Sequence, residues 1–359
     1  MNPLNLSEIR SRVSLFLTRA DLYSCILVCH DWSPDFLPRL YNPFYLDYET
    51  HRRVPYASLC RNQQYIRNLT YPHTAIFDRA DWIGLPPCSN LHHLDIRLDC
   101  TFRITMNLNP ARFSSMIHAD PRSSLQYDED EDPLNLSLTD RFMDLIRLSS
   151  GLHTLKENWA AMTLYHTSRF AKQLVQHQNE IVVMNLSSWQ CSYDRVATLL
   201  KNSPKLEELR LEKFDVREDY DDSNEGSEQP GVVLLDLGNI RLLRLDKTAF
   251  RAGKKQLVRI IGRDLLEIEM IGSKTGLDTP ILSWECPQLR TLKVTDGRGT
   301  DIVDLDGHHA IGHQALESVL LVNCWIQPGF QAAVCRHLAG TLRNFDMRTS
   351  TGLSILGLD

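Results

Sequence analysis

The segment Gly272-Ser273-Lys274-Thr275-Gly276 has residue types that can cradle a phosphate, yet it lacks the Gly-x-x-x-x-Gly-Lys spacing that such a loop needs. Cys25, Cys29 and His30 have the atoms of a zinc site. Helical spacing instead turns both cysteines inward as small hydrophobes, and no second ligand pair is near. Asp304, Asp306, His308, His309 and His313 form a polar cluster whose spacing matches no metal site. There is no Gly-x-Ser-x-Gly motif and no Cys/His pair arranged for nucleophilic work. The expectation is a chain without catalytic residues, metal or cofactor.

What the sequence does carry is a period. The pattern apolar-x-x-apolar-x-apolar begins at Ile66, Leu91, Ile181, Leu206, Ile240, Leu265, Leu289, Leu316 and Leu342, with a degraded copy at Leu152. The intervals are 25, 61, 29, 25, 34, 25, 24, 27 and 26 residues. Leucine-rich repeats run about 20–29 residues. Each of the two long intervals contains an acidic segment, so an insertion accounts for each departure. An ordinary α/β domain also alternates strands and helices, but nothing in it requires equal spacing.

Between the strands lie helical patterns. YDRVATLLKNSP places Val196, Leu199 and Leu200 on one face, and KKQLVRIIGRD does the same with Leu257, Ile260 and Ile261. RFMDLIRLSSG and FQAAVCRHLAG behave alike. One such unit cannot bury its apolar side alone, and stacking supplies the core. The array resembles the cysteine-containing leucine-rich repeats of F-box proteins. Only LESVLLVNC, ending at Cys324, has the Asn or Cys of that family at the ninth position; Phe214, Thr248, Ser273 and Gly297 stand there in other repeats. The resemblance implies an α/β horseshoe, with parallel strands on the concave side and helices on the convex side.

The first forty-odd residues do not follow the repeat. Leu6, Ile9, Val13, Phe16 and Leu17 fall at helical spacing. Asp21 is positioned to cap a second helix over Leu22, Cys25, Ile26, Val28 and Cys29, and Pro38 marks a break. The order Leu6, Ile9, Val13, Leu17, Asp21-Leu22, Cys25, Val28-Cys29, Trp32, Leu40-Tyr41, Phe44 resembles an F-box. Ser7 stands where that family has proline, Arg10 where it has leucine, and Tyr41 where it has the closing tryptophan. The match covers the first eighth of the chain. The alternative is a plain helical cap on the first repeat, which a solenoid needs in any case.

The expected organisation is therefore an all-α F-box-like module over 1–47 and a repeat solenoid over 48–359, with acidic loop insertions near 121–133 and 217–231. Net charge is −6. Five acids in Asp128–Asp132 and seven between Asp215 and Gln229 leave the remainder mildly basic. Charge spread so thinly does not argue for nucleic acid. No apolar run reaches the length of a membrane span, and the polar N-terminus lacks the apolar core of a signal peptide. Cytoplasm or nucleus is the expected location.

The resemblance implies a substrate receptor. Leu6, Ile9, Leu22 and Trp32 would serve a Skp-type adaptor of a cullin complex, some by packing and some by contact. The repeats would hold a target protein. Strand residues switch faces at each step, so the third, fifth and seventh motif positions point away from the core. The fifth positions include Arg210, Arg244, Glu269, Lys293 and Leu320, the expected target-binding residues. Arg210 beside Arg244 suggests a basic spot for an acidic or phosphorylated segment, unless Glu208, Glu212 and Asp246 neutralise it. Leu242, Leu320 and Val322 would be apolar anchors beside it. The alternative function is a non-ligase interaction scaffold.

Overall fold

The computed structural model describes residues 6–46, 54–72, 88–99, 145–160, 180–217, 231–251, 256–272, 274–276, 281, 284–298, 315–326, 330, 332, 334, 338 and 340–348. The chain divides into two compact units, 1–161 and 162–359.

The first unit opens with three helices, α1 (Ser7–Ser14), α2 (Arg19–Val28) and α3 (Ser33–Leu40). Thr18, not Asp21, is the N-cap of α2: its side chain accepts from the Asp21 N–H while Asp21 reaches back to the Thr18 N–H, 3.1 Å away. Asp21 thus completes a capping box from the third helical position. Pro38 does not break the chain either. It lies inside α3, which ends two residues later, so only one helical bond is forgone. Arg10, the departure from leucine, is half-buried at the α1–α3 contact, where its Nε lies 2.6 Å from Asp35 Oδ2. Tyr41 is buried, stacks on Phe44 with centroids 5.6 Å apart, and shares hydrogen bonds with Ser58 and Asn62 of helix α4 (Tyr56–Asn62).

Parallel strands β1 (Phe44–Tyr45), β2 (Asn68–Pro72), β3 (His93–Asp99) and β4 (Thr154–Ala160) follow in spatial order. Motif positions one and four, Ile66 and Leu69 or Leu91 and Leu94, are buried as the period requires. The degraded copy at Leu152 is a true turn of the array, since β4 pairs with β3 along seven residues. Its sixth position, where leucine is expected, buries Glu157.

In the second unit the main sheet is β5 (Val183–Ser187), β7 (Glu208–Glu212), β10 (Leu242–Asp246), β13 (Glu267–Ile271), β15 (Thr291–Thr295), β16 (Ser318–Val322) and β17 (Asn344–Arg348), all parallel. The result is an α/β solenoid of about six turns with few helices. The register aligns the fourth positions Met184, Leu209, Leu243, Ile268, Leu292 and Val319, every one of them buried. Backbone bonds repeat with the sequence. The carbonyl at position two accepts from two N–H groups of the next repeat, as Val182 does from Glu207 and Glu208. The residue at position eight takes a left-handed conformation, with φ between 49° and 64° at Ser188, Lys213, Lys247, Gly272, Asp296 and Asn323. Only glycine adopts that region freely. The non-glycine positions are held by an N–H bond to the next strand's last carbonyl, for example Lys213 N to Asp246 O at 2.7 Å.

That turn feeds a second set of parallel strands, β6 (Gln190–Ser192), β8 (Asp215–Arg217), β11 (Ala249–Arg251) and β14 (Lys274–Gly276). The phosphate-loop look-alike at 272–276 therefore ends in a strand. The ninth residues Trp189, Phe214, Thr248, Gly297 and Cys324 are buried, but they make no Asn or Cys ladder. Trp189 and Phe214 stack with centroids 6.1 Å apart, and Thr248 Oγ1 and Cys324 Sγ donate to the Leu211 and Val294 carbonyls.

The returns between main strands correct one expectation. Helix α5 (Tyr193–Lys201) buries Val196, Leu199 and Leu200 as read. KKQLVRIIGRD forms no helix there: Gln256–Ile261 is strand β12, paired with β9 (Gly231–Asp236). Leu257, Ile260 and Ile261 fit a helical face by spacing alone. Val258, Ile260 and Ile261 are β-branched, and the extended Gly231–Asp236 offers an edge, so tertiary pairing overrides the helical spacing. Arg217 and Gly231, the ends of the second acidic insertion, belong to β8 and β9. Its interior 218–230, the insertion at 121–133, Ser273 and the cluster from Asp304 to His313 lie outside the described residues.

Candidate interaction surfaces

In the N-terminal helices the expected adaptor residues separate into two roles. Leu22 is 2% exposed and packs the module. Trp32 is half-buried with its ring 6.1 Å from that of Phe36, and Ile9 is half-buried, whereas Leu6 is exposed. Apolar side chains that the spacing had assigned inward are at the surface instead: Phe16 is 87% exposed and Val28 78%. Val13, Leu15, Tyr23 and Leu27 are exposed as well, and none of these six is among the residues expected to serve the adaptor. The signal was present in α2, RADLYSCILV, which is apolar almost all round; such a helix is covered on every side or waits for a partner.

In the second unit the fifth positions Asn185, Arg210, Arg244, Glu269, Lys293, Leu320 and Asp346 form one continuous row across the sheet. Adjacent members are about 4.8 Å apart by strand spacing. Each cation on this face is answered by a carboxylate. Arg210 Nε donates to Glu208, Arg244 Nη1 lies 3.5 Å from Glu269, Lys293 Nζ donates to Glu267 at 2.6 Å, and Arg348 Nη2 lies 2.6 Å from Asp346. The hydrogen bond to Glu267 is the main cause that raises the Lys293 pKa above its ordinary value. The neutralising ladder is what forms, with Glu208 rather than Glu212 or Asp246 holding Arg210. Leu242, Leu320 and Val322 are half-buried among these pairs.

Burial pushes the thiols of Cys88 and Cys286 up to about 12, so they stay protonated. Among the described residues no three His, Cys, Asp or Glu side chains gather as a metal site, and no described helix is long and apolar enough to cross a membrane.

No family model matches the chain, and no curated protein is similar to it in sequence. The geometry defines the class: an α/β repeat solenoid, with a polar, charge-paired strand face in its second unit and an apolar helical surface in its first.

Proposed function

We propose that this chain is a substrate-recognition subunit of an SCF-type cullin–RING ubiquitin ligase. The N-terminal helices are an F-box-like module that docks on a Skp-type adaptor, and the repeats are a leucine-rich-repeat horseshoe that holds a target protein. The receptor performs no chemistry; it raises the effective concentration of target beside the ubiquitin-charged enzyme.

The observation that carries the reading is the set of exposed apolar side chains on α1, α2 and the turn between them, Phe16, Leu27 and Val28 above all. A helical element that only capped a solenoid would present a polar outer face. Exposed apolar side chains gathered on one small module instead fit a protein interface. The test is capture of a purified Skp-type adaptor by the full chain. Wild type should capture it, and a folded Phe16→Asp, Leu27→Asp variant should not. Failure of wild type to capture would remove the ligase reading and leave an interaction scaffold.

A further inference from the structure

The strand face of the first unit differs in charge from that of the second. Its outward side chains are Tyr45 on β1, Asn68 and Thr70 on β2, His93, Asp95 and Arg97 on β3, and Thr154, Lys156 and Asn158 on β4. Among these described side chains Asp95 is the one acid; Asp99 ends the same strand at the next alternate position. Asp95 is buried and already gripped by Arg97, whose Nη2 lies 2.8 Å from Oδ2 and whose Nε donates at 3.2 Å to Oδ1.

The other cations have no such partner. Lys156 is the register neighbour of Asp95, yet no carboxylate of the described residues lies within ion-pairing distance of it. Its charge reaches His93, whose imidazole is held below its ordinary value first by burial and then by Lys156, against a smaller opposing effect of Asp95. Arg67 is exposed at the entrance to β2, where its carbonyl accepts from the His92 and His93 N–H groups, and it too has no carboxylate partner among the described residues. Arg19 donates to the Pro43 carbonyl and lies 5.6 Å over the Tyr45 ring. Arg97 itself remains 62% exposed on its side chain.

We infer that the strand face of β1–β4 binds an acidic segment of a partner polypeptide, with Lys156, Arg67 and the free edge of Arg97 as the anion-holding groups. Asn68, Thr70, Thr154 and Asn158 supply neutral hydrogen-bonding groups around these charges. Complementarity of charge decides the occupant: an unpaired cationic face rewards carboxylates, whereas the second unit's face has already matched its own charges. Nucleic acid is disfavoured, because its affinity comes from neutralising many phosphates and the described residues of this face offer only a few unpaired cations. The inference rests on the receptor reading for its biological role, though the binding itself does not depend on the adaptor.

The experiment titrates the full chain with a dye-labelled peptide of alternating Glu and Ser and follows fluorescence anisotropy. Wild type should bind, and more weakly as salt rises. Lys156→Glu with Arg67→Glu should weaken binding about tenfold or more, while Arg210→Glu with Arg244→Glu should change it less than about twofold. If the first pair fails to fold, Lys156→Gln alone should still weaken binding. Absence of wild-type binding, equal losses in the two pairs, or equal affinity for a thymidine oligonucleotide would overturn the proposal. So would binding that appears only after deletion of 121–133, which would make the chain's own acidic run the occupant. Adaptor capture by the Lys156→Glu, Arg67→Glu variant should stay at the wild-type level, which separates failure here from failure of the receptor reading.

Discussion

Arg210 and Arg244 are direct register partners on β7 and β10, yet their guanidinium groups turn apart, one to Glu208 on its own strand and the other to Glu269 on the next. Like charges opposite one another in a sheet cost a fraction of a kcal/mol, and this arrangement offsets the cost within the face. The pairs are part-exposed, so each contributes little to stability. A double-mutant cycle on Lys293 and Glu267 should give a coupling of about 1 kcal/mol or less that fades as salt is raised.

Leu209→Ala removes a side chain that is 2% exposed and lies between Met184 and Leu243 in register. The expected loss is about 2–5 kcal/mol, measured as a shift of the denaturant unfolding midpoint. An unchanged midpoint would contradict the stacked core.

Thr248→Val keeps the shape of a buried side chain but deletes its hydroxyl. The Leu211 carbonyl, now 2.8 Å from Thr248 Oγ1, loses that donor. The variant should be less stable by about 1–2 kcal/mol, while Thr248→Ser, which keeps the hydroxyl, should recover most of the loss.

Leu22→Ala and Phe16→Ala should have opposite signatures. The first empties a packed position of the helical module and should lower its stability by about 2–5 kcal/mol. The second trims an exposed ring and should move stability by no more than about 0.5 kcal/mol, while weakening adaptor capture. Circular dichroism melts and pull-downs on the same preparations check both.

Thiol reactivity follows the thiolate. Cys88 and Cys286 are buried and pushed up to about 12, and Cys324 is raised for the same first reason, burial. Cys25, Cys29 and Cys60 are only half-buried, so a reagent can reach them. Alkylation of the native protein at mildly alkaline pH, read by mass spectrometry, should label these three before Cys88, Cys286 and Cys324. Labelling of Cys88 or Cys286 at the same rate would show that their surroundings open in solution.

The period of the chain determined a large part of what was found. A strand puts alternate residues on opposite faces whatever lies around it. The spacing from Ile181 to Leu342 therefore located the main strands, the shared row from Asn185 to Asp346, and the buried fourth and sixth positions of every repeat but the last, where Phe345 and Met347 are half-buried. Helix α5 was legible for a similar reason, because Val196, Leu199 and Leu200 have one consistent face. Three features depended on neighbours distant in sequence. Gln256–Ile261 became a strand because Gly231–Asp236 offered it an edge. The charges of Arg210, Arg244 and Lys293 were cancelled by Glu208, Glu269 and Glu267, and which carboxylate meets which cation is set by register and side-chain reach. Phe16 and Val28 were left at the surface because three short helices cannot enclose apolar residues on every side. Composition and period fix which residues want to be buried; only the packed chain decides which of them find cover.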